Sequence, residues 1–140
     1  MNFKYSICFP DQKEIQYFNE PITRKEVLEI AKNYPWLEQI HQADAMDQNK
    51  VHYSPSIDFT NLQDKRSFCL TADLDDNKNL SFSLWYNRPK KVKVLFGLFG
   101  EKETMIVDDV WNYNFNQAIQ FLEHFVNQNY QIIEELYSHR

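Results

Sequence analysis

Charge is gathered at a few places in this 140-residue chain, and those places are where chemistry would have to be sought. Asp73, Asp75 and Asp76 crowd one short stretch, Glu101 and Glu103 another, and Asp108 and Asp109 are adjacent. Bunched carboxylates create a local negative potential that steers a basic surface toward them. Opposed to them is Arg88-Pro89-Lys90-Lys91 followed by Lys93, beside Trp85 and Tyr86. Cations next to aromatic rings can track phosphates while the rings stack on bases. In an alternating strand, however, Tyr86 falls with Leu80, Phe82 and Leu84 on the apolar side, so the basic run is expected as a charged hairpin turn that discourages edge pairing.

Groups suited to catalysis are sparse. His41, His52, His124 and His139 share no metal-ligand spacing, and His41 with Asp44 is only a helix-spaced pair. Ser54-Pro55-Ser56 lacks the flanking glycines of a nucleophile elbow and fits a bend in an edge strand. Phe96-Gly97-Leu98-Phe99-Gly100 is too apolar and too poor in glycine to cradle a phosphate. Cys8 and Cys69 form no C-x-x-C and are expected as buried thiols, with a bridge between neighbouring strands as the alternative. No catalytic residue, metal ligand or cofactor is therefore expected.

These groups must be positioned by a chain with only two glycines and five prolines, which leaves little room for linkers or low-complexity segments. Eleven Phe, eight Tyr and three Trp supply ample surface for one core, and the length suits one domain, residues 1–140. The formal charge of -5 disfavours non-specific contact with nucleic-acid backbone and favours a basic partner. The N-terminus lacks the pattern of a signal peptide, and no stretch approaches the ~20 apolar residues of a membrane-spanning helix. A cytoplasmic protein without membrane association is expected.

Periodicity supplies the elements. Phe3, Tyr5, Ile7 and Phe9 alternate as in a half-buried strand, and Glu14–Phe18 can complete an N-terminal hairpin. Thr23-Arg24-Lys25-Glu26 is a capping box that opens a helix ending before Pro35, after which Trp36, Leu37 and Ile40 start a shorter one; Gln42–Lys50 is expected as loop. From Val51 the period is two, with strands expected at Val51–Phe59, Arg66–Asp73, Leu80–Asn87, Val92–Phe99 and Thr104–Trp111, joined as a meander. Turns at Asp75-Asp76-Asn77-Lys78, Arg88-Pro89-Lys90 and Gly100-Glu101-Lys102-Glu103 would put the two acidic groups at the same end of the sheet. Asn114 and Gln117 cap a final helix predicted to run unbroken to Arg140, with Ala118, Phe121, Leu122, Phe125, Ile132, Ile133 and Leu136 on one stripe.

The expected fold is α+β: an antiparallel meander of about five strands, extended by an N-terminal hairpin, under a long C-terminal helix and one or two short N-terminal helices. The expected function is a non-enzymatic acidic protein-binding module. Immunity proteins and antitoxins, which neutralise basic, nuclease-like toxins, fill one role of this kind. Asp73, Asp75, Asp76, Glu101 and Glu103 would steer the partner, and an exposed Trp85 would anchor it. The alternative is a small-molecule or enzymatic pocket between sheet and helices, in which His52, Tyr53, Arg66 or a strand carboxylate would converge.

Overall fold

A computed structural model describes residues 2–93 and 100–138. The elements are β1 (Phe3–Cys8), β2 (Gln16–Ile22), α1 (Arg24–Asn33), α2 (Trp36–Ala45), β3 (Ser56–Asn61), β4 (Ser67–Leu74), β5 (Leu80–Lys93), β6 (Glu101–Tyr113), α3 (Phe115–Val126) and α4 (Tyr130–Tyr137). Among the described residues they form one six-stranded antiparallel sheet in the order β2-β1-β3-β4-β5-β6 with four helices, an α+β fold. The predicted hairpin exists, and β1 joins it to the meander by pairing with β3. No helix among the described residues is long and apolar enough to cross a membrane.

The period of two decides which face is covered. Phe3, Ile57, Phe59, Phe68, Leu70, Phe82, Leu84 and Tyr86 point to one side and are fully or almost fully buried. The helices close over them: Trp36 of α2 meets Phe82 edge-on at 5.1 Å, and Phe125 of α3 stacks on Phe68 at 5.6 Å. Both expected caps form. Thr23 and Glu26 exchange hydrogen bonds of 3.2 and 3.1 Å, Asn114 and Gln117 of 2.8 and 2.9 Å. The helix after Pro35 runs to Ala45, further into the expected loop than Gln42, and a 3-10 turn follows at Gln48–Lys50.

The C-terminal helical stretch divides at Asn127-Gln128-Asn129, where a single helix was expected. Gln128 takes a left-handed φ of 59°, its amide donates to Phe125 O at 3.1 Å, and the Asn129 amide donates to His124 O at 2.8 Å. This is a Schellman ending with glutamine in the glycine position. The break resets the phase, so Ile133 and Tyr137 enter the core and Ile132 is exposed.

The largest departure from expectation lies at Arg88-Pro89-Lys90, which is strand and not turn. β5 continues to Lys93 and pairs with β6 throughout, Pro89 opposite Met105 and Lys91 opposite Glu103. β4 pairs with β5 only as far as Asn87, so from Arg88 onward β5 has one neighbour, where a missing proline donor is tolerated. Of the strand expected at Val92–Phe99, Val92 and Lys93 belong to β5 and the rest lies outside the described residues.

Arg88 extends the inward alternation of Phe82, Leu84 and Tyr86 and is 2 % exposed. Its guanidinium donates from Nε and Nη2 to Glu134 of α4 at 3.1 and 2.6 Å, and from Nη1 to Asp108 of β6 at 2.7 Å. The Tyr86 and Tyr137 rings lie 5.3 and 5.6 Å from its central carbon. A buried cation held by two carboxylates is costly to break, because removing it leaves their charges facing each other in a poorly solvated place. Replacing Arg88 with Met should lower unfolding free energy by about 2–4 kcal/mol in denaturant titrations, below the fully buried limit because both carboxylates keep partial access to water. At the helix break the opposite sign is expected: Gln128→Gly should stabilise by roughly 0.5–1 kcal/mol in the same measurement, since glycine takes positive φ without strain.

Candidate functional site

The helices cover one face of the sheet, and the other is left open. Ser6, Asp58, Cys69, Trp85 and Asp109 are successive register partners across β1, β3, β4, β5 and β6, so they form one row on that open face. On β6 the residues pointing the same way include Met105, Val107 and Trp111, which are 42, 54 and 66 % exposed. Trp85 sits beside them at 36 %. Apolar side chains grouped on a sheet surface are a feature that protein contact sites share.

The acidic turn borders this group. Asp73 pairs with Ser81, and Asp73, Ser81, Ser83 and Trp111 border a recess of about 120 Å³. On its other side, between α2 and the β4–β5 turn, Asp44, Asp73, Asp75 and Lys78 line an open groove of about 340 Å³. One oxygen of Asp75 is engaged in holding the turn, accepting from the amides of Asn77 and Asn79 at 2.8 and 2.9 Å. Asp73 similarly accepts from the Leu74 amide at 2.8 Å, while Asp76 is exposed. The indole Nε1 of Trp111 donates to Asp109, which fixes the ring on the open face.

Glu101 and Glu103 do not join Asp73, Asp75 and Asp76. The expectation that both groups share an end rested on a turn at Arg88-Pro89-Lys90; with β5 continuous, they lie at opposite ends of it, about 40 Å apart at the usual strand rise. Glu103 and Glu101 are in register with Lys91 and Lys93, so the basic run lies along an acidic one. The cation-aromatic combination is also dispersed. Tyr86 is buried with its hydroxyl 2.7 Å from Arg66 Nη1, and Arg88 is buried among carboxylates, so neither can reach a base.

Of the residues of the pocket alternative, Tyr53 and the strand carboxylate Asp73 line the open groove beside α2 together, and His52 and Arg66 do not join them. His52 is exposed, Tyr53 donates to Lys13 O at 3.0 Å near the β4–β5 end, and Arg66 stands at the other end of β4, 4.3 Å over the Tyr130 ring. Beyond that groove, side chains of the core pack between sheet and helices. His139 lies outside the described residues, and among those described no group of three or more His, Cys, Asp or Glu could hold a metal ion. Cys8 and Cys69 are free thiols on the open face with β3 between them, about two strand spacings apart and beyond disulfide reach. Pro55 is buried just before β3, a central strand, and its carbonyl accepts from Ala72 at 2.8 Å.

Asp58, in the row across the open face, is a group that residue type alone does not single out. Its Oδ1 is buried without a hydrogen-bond partner, and burial raises its pKa from 3.8 to about 6, against the opposing pull of a Ser67 hydrogen bond and the Lys4 charge. Its position inside the alternation Ile57-Asp58-Phe59 could only suggest an outward-facing, solvated group. Because the folded-state pKa lies above the ordinary value, ionisation weakens the fold as pH rises from about 4 to 6. Asp58→Asn should therefore stabilise by about 1–2 kcal/mol at pH 8 and by much less at pH 4, in denaturant titrations at both values.

No family model matches the chain, and neither a curated protein nor a solved structure shows significant similarity to it.

Proposed function

We propose that this protein is a cytoplasmic, non-enzymatic binding module whose open sheet face docks a basic protein. The observation that carries the reading is the placement of Trp85, Val107 and Trp111 on an uncovered face, bordered by the Asp73–Asp76 turn. Desolvated aromatic anchors dominate affinity in interfaces of this type, and a nearby acidic cluster speeds encounter with a positively charged surface. The packed core favours this reading over a ligand pocket, since the groove that Tyr53 and Asp73 line beside α2 is open and Arg66 stands at the other end of β4. Neutralisation of a basic, nuclease-like toxin, as an immunity protein or antitoxin, is one role that such a surface fits, and blocking the toxin's phosphate-binding surface would suffice for it.

Capture of binding proteins from the native host, identification by mass spectrometry and kinetics with the purified partner test the reading. Asp73→Lys combined with Asp76→Lys should slow association tenfold or more at low salt and flatten its salt dependence, with little change in dissociation. Trp85→Ala should instead accelerate dissociation, by tenfold or more for a loss of about 1.5–3 kcal/mol. An unchanged association rate in the charge-reversed variant would remove the acidic turn from the interface.

A further inference from the structure

The sheet has two edges, and they are built differently. β2 is seven residues long, contains Pro21 and meets β1 with a register shift. Proline, shortness and irregularity are among the devices by which edge strands avoid pairing with other chains, and charged side chains are another. β6 carries charges but is long, and along most of its length it has no proline and no irregularity. It runs for thirteen residues, contains neither proline nor glycine, keeps continuous register with β5 from Glu101 through Val110, and is irregular between Val110 and Tyr113, where Asn112 takes a left-handed φ of 71°. Among the described residues, no strand pairs with its outer side.

We propose that β6 is a strand-addition site, at which an extended segment of the basic partner pairs as a seventh strand; this rests on the docking reading above. Main-chain hydrogen bonds along a free edge supply affinity that does not depend on sequence, and alternate side chains supply the selection. On the open face the β6 side chains read Glu101, Glu103, Met105, Val107, Asp109 and Trp111. An added strand whose side chains alternate outward would set cations near Glu101, Glu103 and Asp109 and apolar groups beside Met105, Val107 and Trp111. Asp108 is taken by Arg88, and Glu101, Glu103 and Asp109 are the carboxylates of the strand on the open face. Like charges directly opposite destabilise a ladder, so an in-register parallel pair with β6 of a second copy is disfavoured, and an antiparallel copy centred on Val107 would set Glu101, Glu103 and Asp109 opposite Tyr113, Trp111 and Met105 without the countercharge that a basic segment brings.

The full-length protein is titrated with a capped heptapeptide alternating Lys and Val while amide hydrogen exchange is followed residue by residue. Alternate amides between Thr104 and Trp111 should slow at least tenfold at saturation. A version N-methylated at two adjacent central residues, so that neither peptide edge keeps its donors, should bind at least tenfold more weakly. The corresponding Glu–Val peptide should not protect β6.

Absence of binding by the Lys–Val peptide at millimolar concentration would overturn the proposal, as would binding that leaves β6 exchange unchanged or survives N-methylation. In the latter two cases docking by charge would stand and strand addition would fall, because docking is judged separately on the Trp85 and Asp73/Asp76 variants. Equal protection by the Glu–Val peptide would overturn the basic character of the added strand. Concentration-dependent protection of β6 without peptide would assign the edge to a second copy and overturn it as well.

Discussion

The burial of Arg88 between Glu134 and Asp108 is the interaction on which the rest of the arrangement depends. It joins the long β5–β6 pair to α4 at the point where β4 has ended, so the two strands leave the sheet with a fixed direction. Without it, the inward side of β5 beyond Tyr86 would place a cation over an apolar core, and α4 would lose one of its polar ties to the sheet, beside the Tyr137 hydroxyl that donates to Leu84 O at 2.8 Å. The same clamp leaves the opposite face of β5 and β6 uncovered, and that face carries Trp85, Val107 and Trp111. Core and surface are thus set by one alternation. Inward positions are claimed by helices and by the clamp, and outward ones on β5 and β6 are left uncovered.

Much of this was legible in the sequence, for identifiable reasons. The swing from Leu80 to Tyr86 follows from a period of two, and the boxes Thr23/Glu26 and Asn114/Gln117 mark helix starts because their chemistry is local. Arg88-Pro89 misled because a charged residue before proline ordinarily marks a turn, and here each has a tertiary reason to be strand. Arg88 finds carboxylates that lie 20 and 46 residues away, and Pro89 sits where β5 has a single neighbour. One turn too many reverses which strand ends coincide, so Glu101 and Glu103 were assigned to the end of the sheet occupied by Asp73, Asp75 and Asp76. The break at Gln128 was hidden because its usual sign, a glycine in the left-handed position, is missing.

The candidate site was half legible. Trp85 and the Asp73–Asp76 turn could be chosen from residue type and alternation, but Trp111 joined them only through the pairing of β6 with β5. Asp58 required knowledge of its burial. Its carboxylate, mostly ionised at neutral pH, weakens the fold there, and it lies in the row that also holds Trp85 and Asp109. Such departures from stability concentrate on functional surfaces.

The central claim, that the helix-free face is the binding face, is tested most directly by the three tryptophans. Trp36 is buried under α2, while Trp85 and Trp111 stand on the open face. In variants retaining one tryptophan each, with Phe at the other two positions, acrylamide quenching is compared for the free protein and its complex with the captured partner. The account predicts that Trp85 and Trp111 become shielded on binding while Trp36 stays poorly quenched in both states. Undiminished quenching of Trp85 and Trp111 in a saturated complex would contradict it.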